Sequence, residues 1–344
     1  MHFRSLLISL LAALSLSVAG QPGSSLFDSL YQSQEIDITL TYPFDSLYRS
    51  QREEIEARIS IRTPSGYLLQ DEPMTLNLRG KFRRMKCTMP PLLLNFKKGT
   101  LRKLDLSHQA DEIKLVTHCM EGEEGQENLQ EERLCYQLYE KLTPYAYRTI
   151  WVTVQYQDAS GLKPSITSAG FLLEPDKDIS SRFGLKEIKV FNVTEDSLHY
   201  ESYANAVAFN FLIGNRDWSI VSSRNAKLFY DSLKHQYIVI PYDFDYANIV
   251  GATYRRENRP ASMAHPFDRI YEGEYFSTRA GDILKQFMPS KEPILDVVET
   301  AVNPMDKTRR KKIKRYLEEW YYIISKAAAS ELGYGFVCPY SGGL

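Results

Sequence analysis

The periodicity of the apolar residues changes about halfway along the chain. Between residues 36 and 173, short segments such as 36–42 and 54–62 alternate apolar and polar residues, which is typical of strands with one buried face. From residue 196 onward, apolar residues recur at helical spacing, first in a stripe along 196–214. The pattern therefore predicts an α+β fold in which a strand-rich part precedes a helix-rich part.

Turn and charge signals divide these parts further. A helix is predicted at 127–142, after an acidic loop at 121–126, and the turn sequence at 158–161 predicts a hairpin of two strands. The segment 174–178 is polar and contains proline, as connectors often do. We therefore expect two units, residues 21–175 and residues 176–344. The other predicted strands are 74–78, 92–96, 113–116, 149–156, 166–173, 227–230 and 237–241.

The first twenty residues have the organisation of an export signal. A short start containing Arg4 precedes the uncharged apolar run 6–18, and the small residues Ala19 and Gly20 stand before Gln21. The run is shorter than the roughly 20 apolar residues that span a bilayer. Residues 1–20 are therefore predicted to be a signal peptide of a periplasmic or extracellular protein, and no later segment predicts a transmembrane helix.

The cysteines and the net charge narrow the class of protein. Four cysteines in an exported chain predict two disulfides, for which three pairings are possible. Cys87 and Cys119 each follow a strand-like run, so this bridge is favoured and leaves Cys135 for Cys338. A formal net charge of −1 argues against a protein that binds nucleic acid by neutralising phosphates.

Polar residues with possible chemical roles follow the stripe at 196–214. Asp217 comes just after that helix, Asn225 stands eight residues later, and Asp243 and Asp245 follow the next predicted hairpin. Phosphoryl transfer uses such a set, because one carboxylate orients the attacking hydroxyl while an amide and a second carboxylate hold metal ions at the phosphates. Mg²⁺ and Mn²⁺ prefer these oxygen ligands.

Four motifs resemble those of a known family. Asn-Arg-Asp-Trp-Ser at 215–219, Arg-Asn-Ala-Lys-Leu-Phe at 224–229 and Pro-Tyr-Asp-Phe-Asp at 241–245 are similar to segments of the CotH-type spore-coat kinases, and the basic run at 79–84 resembles their Arg-Gly-x-Ser-x-Arg segment. The resemblance covers most of the chain after residue 20. It implies a two-lobed protein-kinase-like fold, with a strand-rich N-terminal lobe and a helix-rich C-terminal lobe.

The resemblance also implies roles for particular residues. Asp217 matches the catalytic aspartate and Asn225 the metal-binding asparagine, while Asp243 matches the metal-binding aspartate, with Asp245 as a second candidate. The implied cofactors are ATP and Mg or Mn. The spacing between Asp217 and Asn225 is longer than in ordinary kinases, so the geometry of this loop stays open.

The resemblance implies a nucleotide site in the first half. Leu173 and Glu174, in the segment 172–174, would be the hinge that meets the adenine. Lys114 would contact the phosphates and pair with Glu131 or Glu132 of the following helix. The rival cations for the phosphates are Arg83 and Lys97.

Two functions of different classes fit these observations. The first is an exported atypical kinase that transfers the γ-phosphoryl group of ATP to Ser or Thr of an envelope or surface protein, or of its own chain; transfer of AMP is a variant of it. The alternative is a non-catalytic envelope or extracellular binding protein in which Asp243 and Asp245 hold calcium. Paired carboxylates could also serve a glycoside hydrolase, although the sequence shows no recognisable barrel pattern.

Overall fold

A computed structural model describes residues 23–33, 35–46, 54–80, 83, 87–254, 262–301 and 305–342. The predicted signal peptide at 1–20 and residues 81, 82 and 84 of the basic run lie outside these ranges. Within the described residues, no helix is both long enough and apolar enough to cross a membrane.

Seven strands of the first half form a closed barrel in the order β1-β2-β3-β4-β5-β7-β6. They are β1 (Asp37–Tyr42), β2 (Ile55–Thr63), β3 (Gly66–Leu78), β4 (Leu92–Phe96), β5 (Glu112–Thr117), β6 (Thr149–Asp158) and β7 (Ile166–Leu173). Adjacent strands are antiparallel except β1 and β6, which run parallel with Leu40 opposite Tyr156. This pairing leaves the sheet without an exposed edge.

The barrel encloses apolar side chains, and we call this cluster the barrel core. Its buried members include Ile38, Leu40, Ile59, Leu76, Leu94, Ile113, Val152 and Val154. Successive side chains of a strand point to opposite faces, so the alternating segments of the sequence place every second residue inside. The strands predicted from that alternation are confirmed.

The predicted two-lobed protein-kinase-like fold is wrong. The strand-rich half is a closed barrel, because the first strand, β1, pairs with β6 from the far end of the same half. Alternation of apolar residues identifies individual strands but carries no information about which strands pair. The sequence pattern therefore predicted the strands and missed the closure.

The helices and two small sheets make up most of the rest. The helices are α1 (Leu26–Tyr31), α2 (Lys98–Lys103), α3 (Gly122–Leu142), α4 (Asp176–Phe183), α5 (Tyr200–Ile213), α6 (Ala280–Phe287), α7 (Lys291–Thr300) and α8 (Lys307–Lys326). One sheet contains β8 (Lys186–Glu187), β9 (Ala226–Asp231) and β10 (Gln236–Pro241), and the other contains β11 (Arg269–Ile270) and β12 (Val337–Cys338). Single 3₁₀ turns lie at Glu195–Ser197, Ser277–Arg279, Met288–Ser290 and Ala329–Glu331.

Two segments predicted to be irregular are helical. The acidic loop at 121–126 is mostly the first turns of α3, and the connector at 174–178 contains the start of α4. Carboxylates such as Glu123 and Asp176 are favourable near a helix N-terminus, where the helix dipole is positive. Acidic residues in these segments were therefore helix-start signals.

A second apolar cluster joins α3 to the second half of the chain, and we call it the helical core. It contains α5, which is buried on nearly every side, together with Tyr136 of α3, Phe229 of β9 and Trp320 of α8. Because α3 packs here, the longest helix among the described residues of the first half belongs to the same core as the candidate site. The barrel and the candidate site thus meet along α3.

The structure confirms one predicted disulfide and contradicts the other. Cys87 and Cys119 are bridged. Cys135 in α3 and Cys338 in β12 are both buried and unbridged, so the predicted Cys135–Cys338 bond is wrong. The prediction paired them only because they were the two cysteines left over, and the sequence gives no distance between them in the fold. The Sγ atom of Cys338 lies instead 3.7 Å from a guanidinium nitrogen of Arg269. One disulfide is compatible with an exported protein.

Candidate functional site

The end of α5 fixes the position of Asp217. Gly214 closes the helix with φ of +68°, and a Cβ atom there would lie 2.7 Å from Cβ of Asn248, so only glycine fits. The side chain of Asn215 then accepts a hydrogen bond from the Asp217 N–H at 3.0 Å and donates one to Asn210 at 2.8 Å. A buried helix, a required glycine and an Asx-type turn therefore hold the predicted catalytic aspartate.

The longer spacing between Asp217 and Asn225 forms a turn that brings them together. Ser219 and Arg224 exchange two backbone hydrogen bonds of 2.8 Å, which folds the chain back on itself. Asn225 then donates from Nδ2 to Oδ2 of Asp217 at 2.9 Å and to its carbonyl oxygen at 2.7 Å. Its amide nitrogen is thus engaged, and the end that could bind a metal is Oδ1.

Asp243 reaches the same place from the end of β10. The Tyr242 N–H donates to the carbonyl oxygen of Asn225 at 3.0 Å, and the Asp243 N–H donates to the Tyr136 hydroxyl at 2.8 Å. Asn225 and Asp243 both adopt the left-handed backbone conformation, with φ of 48° and 62°. Such conformations are costly for residues other than glycine and cluster at functional sites. The side chain of Asp243 remains 44% exposed.

The electrostatics of Asp217 reflect this convergence. Burial raises the pKa of its carboxyl group and the nearby charge of Asp243 adds to the rise, while Arg224, at 3.4 Å, and the hydrogen bond from Asn225 oppose it. A carboxylate with a raised pKa is a better proton acceptor than an ordinary aspartate. The environment of Asp217 therefore suits a group that receives a proton.

Arg83 gathers three carboxylates behind this site, and we call the four residues the Arg83 network. Its guanidinium group lies 2.9 Å from Glu132 of α3, 2.7 Å from Asp245 and 3.5 Å from Asp243. Arg83, Glu132 and Asp245 are buried, and burial raises the pKa of Glu132 to about 6 against the opposing charge of Arg83. Because Asp245 is bound to Arg83, Asp243 is the more accessible of the two predicted metal ligands.

The predicted pairing of Lys114 with Glu131 or Glu132 is wrong. Glu132 binds Arg83, and Glu131 forms an ion pair with Arg309 of α8. Both glutamates lie on α3, and two arginines from elsewhere in the sequence reach them, which no local pattern could reveal. Arg83, a rival candidate for the phosphates, is thus occupied by carboxylates.

Lys114 lies instead in a cationic cluster against the ring of Tyr242, the residue before Asp243. Its Nζ atom is 3.6 Å from Oδ1 of Asp176 and 5.5 Å from the ring centre of Tyr242. Lys227 of β9 approaches the other oxygen of Asp176 at 3.0 Å. Burial lowers the pKa of Lys114 and Asp176 opposes the change. Two lysines thus share the carboxylate of Asp176, and one of them approaches Tyr242.

The two residues of the predicted hinge, Leu173 and Glu174, are buried and contact other residues of the protein. Leu173 is opposite Lys114 in the register of β5 and β7. The carboxylate of Glu174 accepts hydrogen bonds from Arg148 at 2.7 Å and Arg182 at 2.8 Å, and its N–H donates to the carbonyl oxygen of Arg148. Contact of this segment with adenine stays a prediction. Lys97, the remaining rival, is exposed at the N-cap of α2.

A cavity of ≈ 530 Å³ opens beside Asp217. Its lining includes Arg216, Trp218, Tyr246, Glu272 and Tyr275, and Arg216 and Glu272 form an ion pair of 3.0 Å. The cavity is large enough for part of an acceptor molecule to reach the Asp217 carboxylate. Aromatic and charged groups alternate around it.

Sequence reasoning missed Asp176, Lys227 and Tyr242. Asp176 was assigned to a connector, although Pro175 and the following acids are a helix-start pattern. Lys227 and Tyr242 lie within motifs that were recognised, two residues after Asn225 and one before Asp243. Their place inside those motifs was the signal that could have identified them.

The site has no all-protein metal cage among the described residues, because they contain no group of three or more His, Cys, Asp or Glu side chains placed to hold one ion. No protein-family model matches the chain, and no curated protein is significantly similar to it. The resemblance to CotH-type kinases therefore depends on the quoted motifs.

Proposed function

We propose that this protein is an exported phosphotransferase that transfers the γ-phosphoryl group of ATP to a hydroxyl group of a protein, using Mg or Mn. The observation that carries the proposal is the convergence of Asp217, Asn225 and Asp243. A hydrogen bond of 2.9 Å joins the first two, and a backbone bond of 3.0 Å sets the third beside Asn225. The proposal concerns this site, because a fold alone does not determine an activity.

The oxygen atoms present fit a hard divalent ion that is also bound by phosphates. Mg²⁺ commonly uses one or two carboxylates of the protein together with substrate oxygens, so a complete protein cage is not required. Asn225 Oδ1 and the Asp243 carboxylate would hold the ion. When bound, it would neutralise charge on the phosphate oxygens.

The remaining groups would bind different substrates, some the acceptor protein and others the phosphates of ATP. Asp217 would orient the acceptor hydroxyl and receive its proton, and the adjacent cavity would admit the acceptor. Lys114 and Lys227 would attract the phosphates, while Asp176 holds both ammonium groups in place. Asp176 lies on α4, Lys114 on β5 and Lys227 on β9, while Asp217 follows the end of α5.

The ligand set favours this proposal over a structural calcium site. Calcium takes six to eight oxygen ligands, which proteins supply from carboxylates, carbonyl groups and bound water. The alternative needs Asp243 and Asp245 together, but Asp245 is bound to Arg83 in a buried ion pair. One accessible carboxylate and one amide fit a metal–nucleotide complex better.

The test is the intact mass of the purified protein after incubation with ATP and MnCl₂, with and without a generic acceptor protein. The wild type should gain phosphate or phosphorylate the acceptor, and Asp217→Ala and Asp243→Ala should not. The matched control is Asp282→Asn, which changes an exposed acid of α6 and should behave as the wild type. A gain of AMP would instead indicate adenylylation.

Thermal unfolding supplies a second measurement. Mn–ATP should raise the melting temperature of the wild type by mass action, and Asp243→Ala should remove the effect. If calcium alone stabilises the protein and Mn–ATP does not, the binding-protein alternative replaces the proposal. If neither ligand has an effect and no transfer occurs, the proposed site is wrong.

A further inference from the structure

A second cavity of ≈ 620 Å³ lies where the barrel meets the start of α3, and Asp217, Asn225 and Asp243 are not part of its lining. Three polar side chains from separate elements converge in its wall. Ser168 on β7 places Oγ 2.6 Å from Nδ1 of His118, which directly follows β5, and Gln126 of α3 donates from Nε2 to the same Oγ at 3.1 Å. A hydroxyl group, an imidazole and an amide thus meet around one atom.

The hydrogen-bond pattern assigns a direction to the contact between Ser168 and His118. Because Gln126 donates to Oγ, the hydroxyl hydrogen of Ser168 remains to be donated. Nδ1 of His118 at 2.6 Å is closer than the alternative acceptor, the Ala169 carbonyl oxygen at 3.2 Å. Burial lowers the pKa of His118, with Glu121 opposing, so the imidazole is neutral at neutral pH, and its Nε2-protonated tautomer has a lone pair on Nδ1 for this proton.

We propose that this cavity is a hydrolytic site at which Ser168 is the nucleophile and His118 the general base for cleavage of a small uncharged or cationic carboxylic ester. A hydroxyl within about 2.6–3.2 Å of a basic side chain is the arrangement that activates a serine. The contact between Ser168 and His118 meets this criterion in the wall of a cavity that can hold a substrate.

The charges around the cavity determine the class of ester. Glu121, Glu123 and Glu127 line it, and the positive charge of Arg309 is already paired with Glu131 of α3. Anionic substrates, including nucleotides, would be repelled. Neutral or cationic esters are therefore expected, and the site is chemically separate from the proposed phosphotransferase site.

The reaction balances with water as the only co-substrate. Ser168 Oγ attacks the ester carbonyl carbon while Nδ1 of His118 takes its proton. The tetrahedral species expels the alcohol, which receives that proton, and leaves an acyl group on Oγ. Water, deprotonated by His118, then attacks the acyl carbon and releases the carboxylic acid, and the proton returns to Ser168.

Donors for the transient oxyanion are available at the same wall. Gln126 Nε2 already points at Ser168, and side-chain amides serve as oxyanion donors in known hydrolases. The N-terminus of α3, whose N-cap residue Glu121 makes no side-chain capping bond, begins at Gly122 in the same cavity lining. Its dipole adds positive potential there.

The experiment is covalent labelling of the full-length protein with diisopropyl fluorophosphate, in which a serine oxygen displaces fluoride from phosphorus. Intact mass should show one label on the wild type, and fragmentation of the labelled protein should place it on Ser168. Ser168→Ala should lose the label, and His118→Ala should slow labelling by about 10²-fold or more, as expected on removal of a general base. The control Ser160→Ala, an exposed hairpin serine, should label normally.

The rate of p-nitrophenyl acetate hydrolysis should change among these variants in the same way as the rate of labelling. A wild type that takes no label, or takes it at another residue, would overturn the proposal and leave the contact between Ser168 and His118 as a structural hydrogen bond. Mapping the label on the wild type keeps the test valid even if Ser168→Ala fails to fold. Labelling requires neither ATP nor MnCl₂, which separates this result from that for phosphoryl transfer.

Discussion

The barrel core is buried, and so are three of the four residues of the Arg83 network, but the two regions differ in composition. The barrel core consists of apolar side chains. The Arg83 network buries a guanidinium group with the carboxylates of Glu132 on α3 and of Asp245. Apolar burial is the main source of folding free energy, whereas a buried ion pair often contributes little net stability, because desolvation offsets the attraction.

The difference indicates separate roles for the two regions. A set of charges that is costly to bury needs another reason to be present, and the guanidinium group of Arg83 lies 3.5 Å from Asp243, the most exposed member of the network. We infer that it fixes the end of β10 and thereby the left-handed conformation at Asp243. The barrel core would then supply stability without influencing the site.

The largest expected effect is on the chemical step. Asp217→Asn keeps the size of the side chain but removes the proton acceptor, so phosphoryl transfer should fall by about 10²–10⁴-fold. The melting temperature should change little, because the loop is also held by Gly214 and Asn215. Single-turnover transfer with ATP and MnCl₂ measures the first quantity and thermal unfolding the second. Retention of activity would remove Asp217 from the proposed mechanism.

The next largest effect is on the free energy of unfolding of variants in the Arg83 network. Arg83→Met leaves two buried carboxylates without their partner and should lower the free energy of unfolding by about 3–5 kcal/mol. Adding Glu132→Gln should recover part of this loss, since one of the stranded charges is then removed. Urea unfolding measures both variants. If the single variant is as stable as the wild type, the network does not hold the site together.

A matched change in the barrel core tests the other half of the comparison. Leu94→Ala removes a fully buried side chain and should lower the free energy of unfolding by about 2–5 kcal/mol. At a temperature where the variant is folded, its affinity for Mn–ATP, measured by calorimetry, should equal that of the wild type. A large loss of affinity would show that the two regions are coupled.

The same contrast explains what the sequence could predict. Local alternation identified the strands of the barrel core, because each strand shows its own buried face. Closure of the barrel depends on β1 meeting β6, and the Arg83 network depends on Arg83, Glu132 and Asp245 meeting from three separate segments. Neither arrangement leaves a local pattern.

The candidate site was more predictable than its surroundings for a similar reason. Asp217 follows a helix, and Asn225 and Asp243 stand at the two ends of the hairpin that comes next in the sequence, so their convergence could be inferred from local elements. Lys114 and Asp176 reach the site from the barrel and from α4. The partner of Lys114 was therefore predicted wrongly, although the residue itself was a candidate.

The smallest expected effect concerns Asp178 of α4, a buried carboxyl group without an arginine partner as close as that of Glu132. Burial raises its pKa from 3.8 to about 7, and the negative charges of Asp28 and Glu174 add to the rise. The Ser25 hydroxyl, which donates a hydrogen bond to the carboxyl group at 2.6 Å, opposes it. The folded state thus binds this proton more tightly than the unfolded state. The stability that the group contributes is complete below about pH 4 and is lost as the pH rises through about 7.

Asp178→Asn should remove this pH dependence, because the amide does not titrate and can still accept the hydrogen bond from Ser25. The difference in free energy of unfolding between the variant and the wild type should grow in favour of the variant between pH 4 and pH 8. A change on the order of 1 kcal/mol is expected, since relaxation of the site reduces the full ~1.4 kcal/mol per pKa unit. Urea unfolding at pH 4, 6 and 8 measures it. A constant difference would mean that Asp178 is ionised in the folded protein, and that buried charge outside the Arg83 network is tolerated without a close cation.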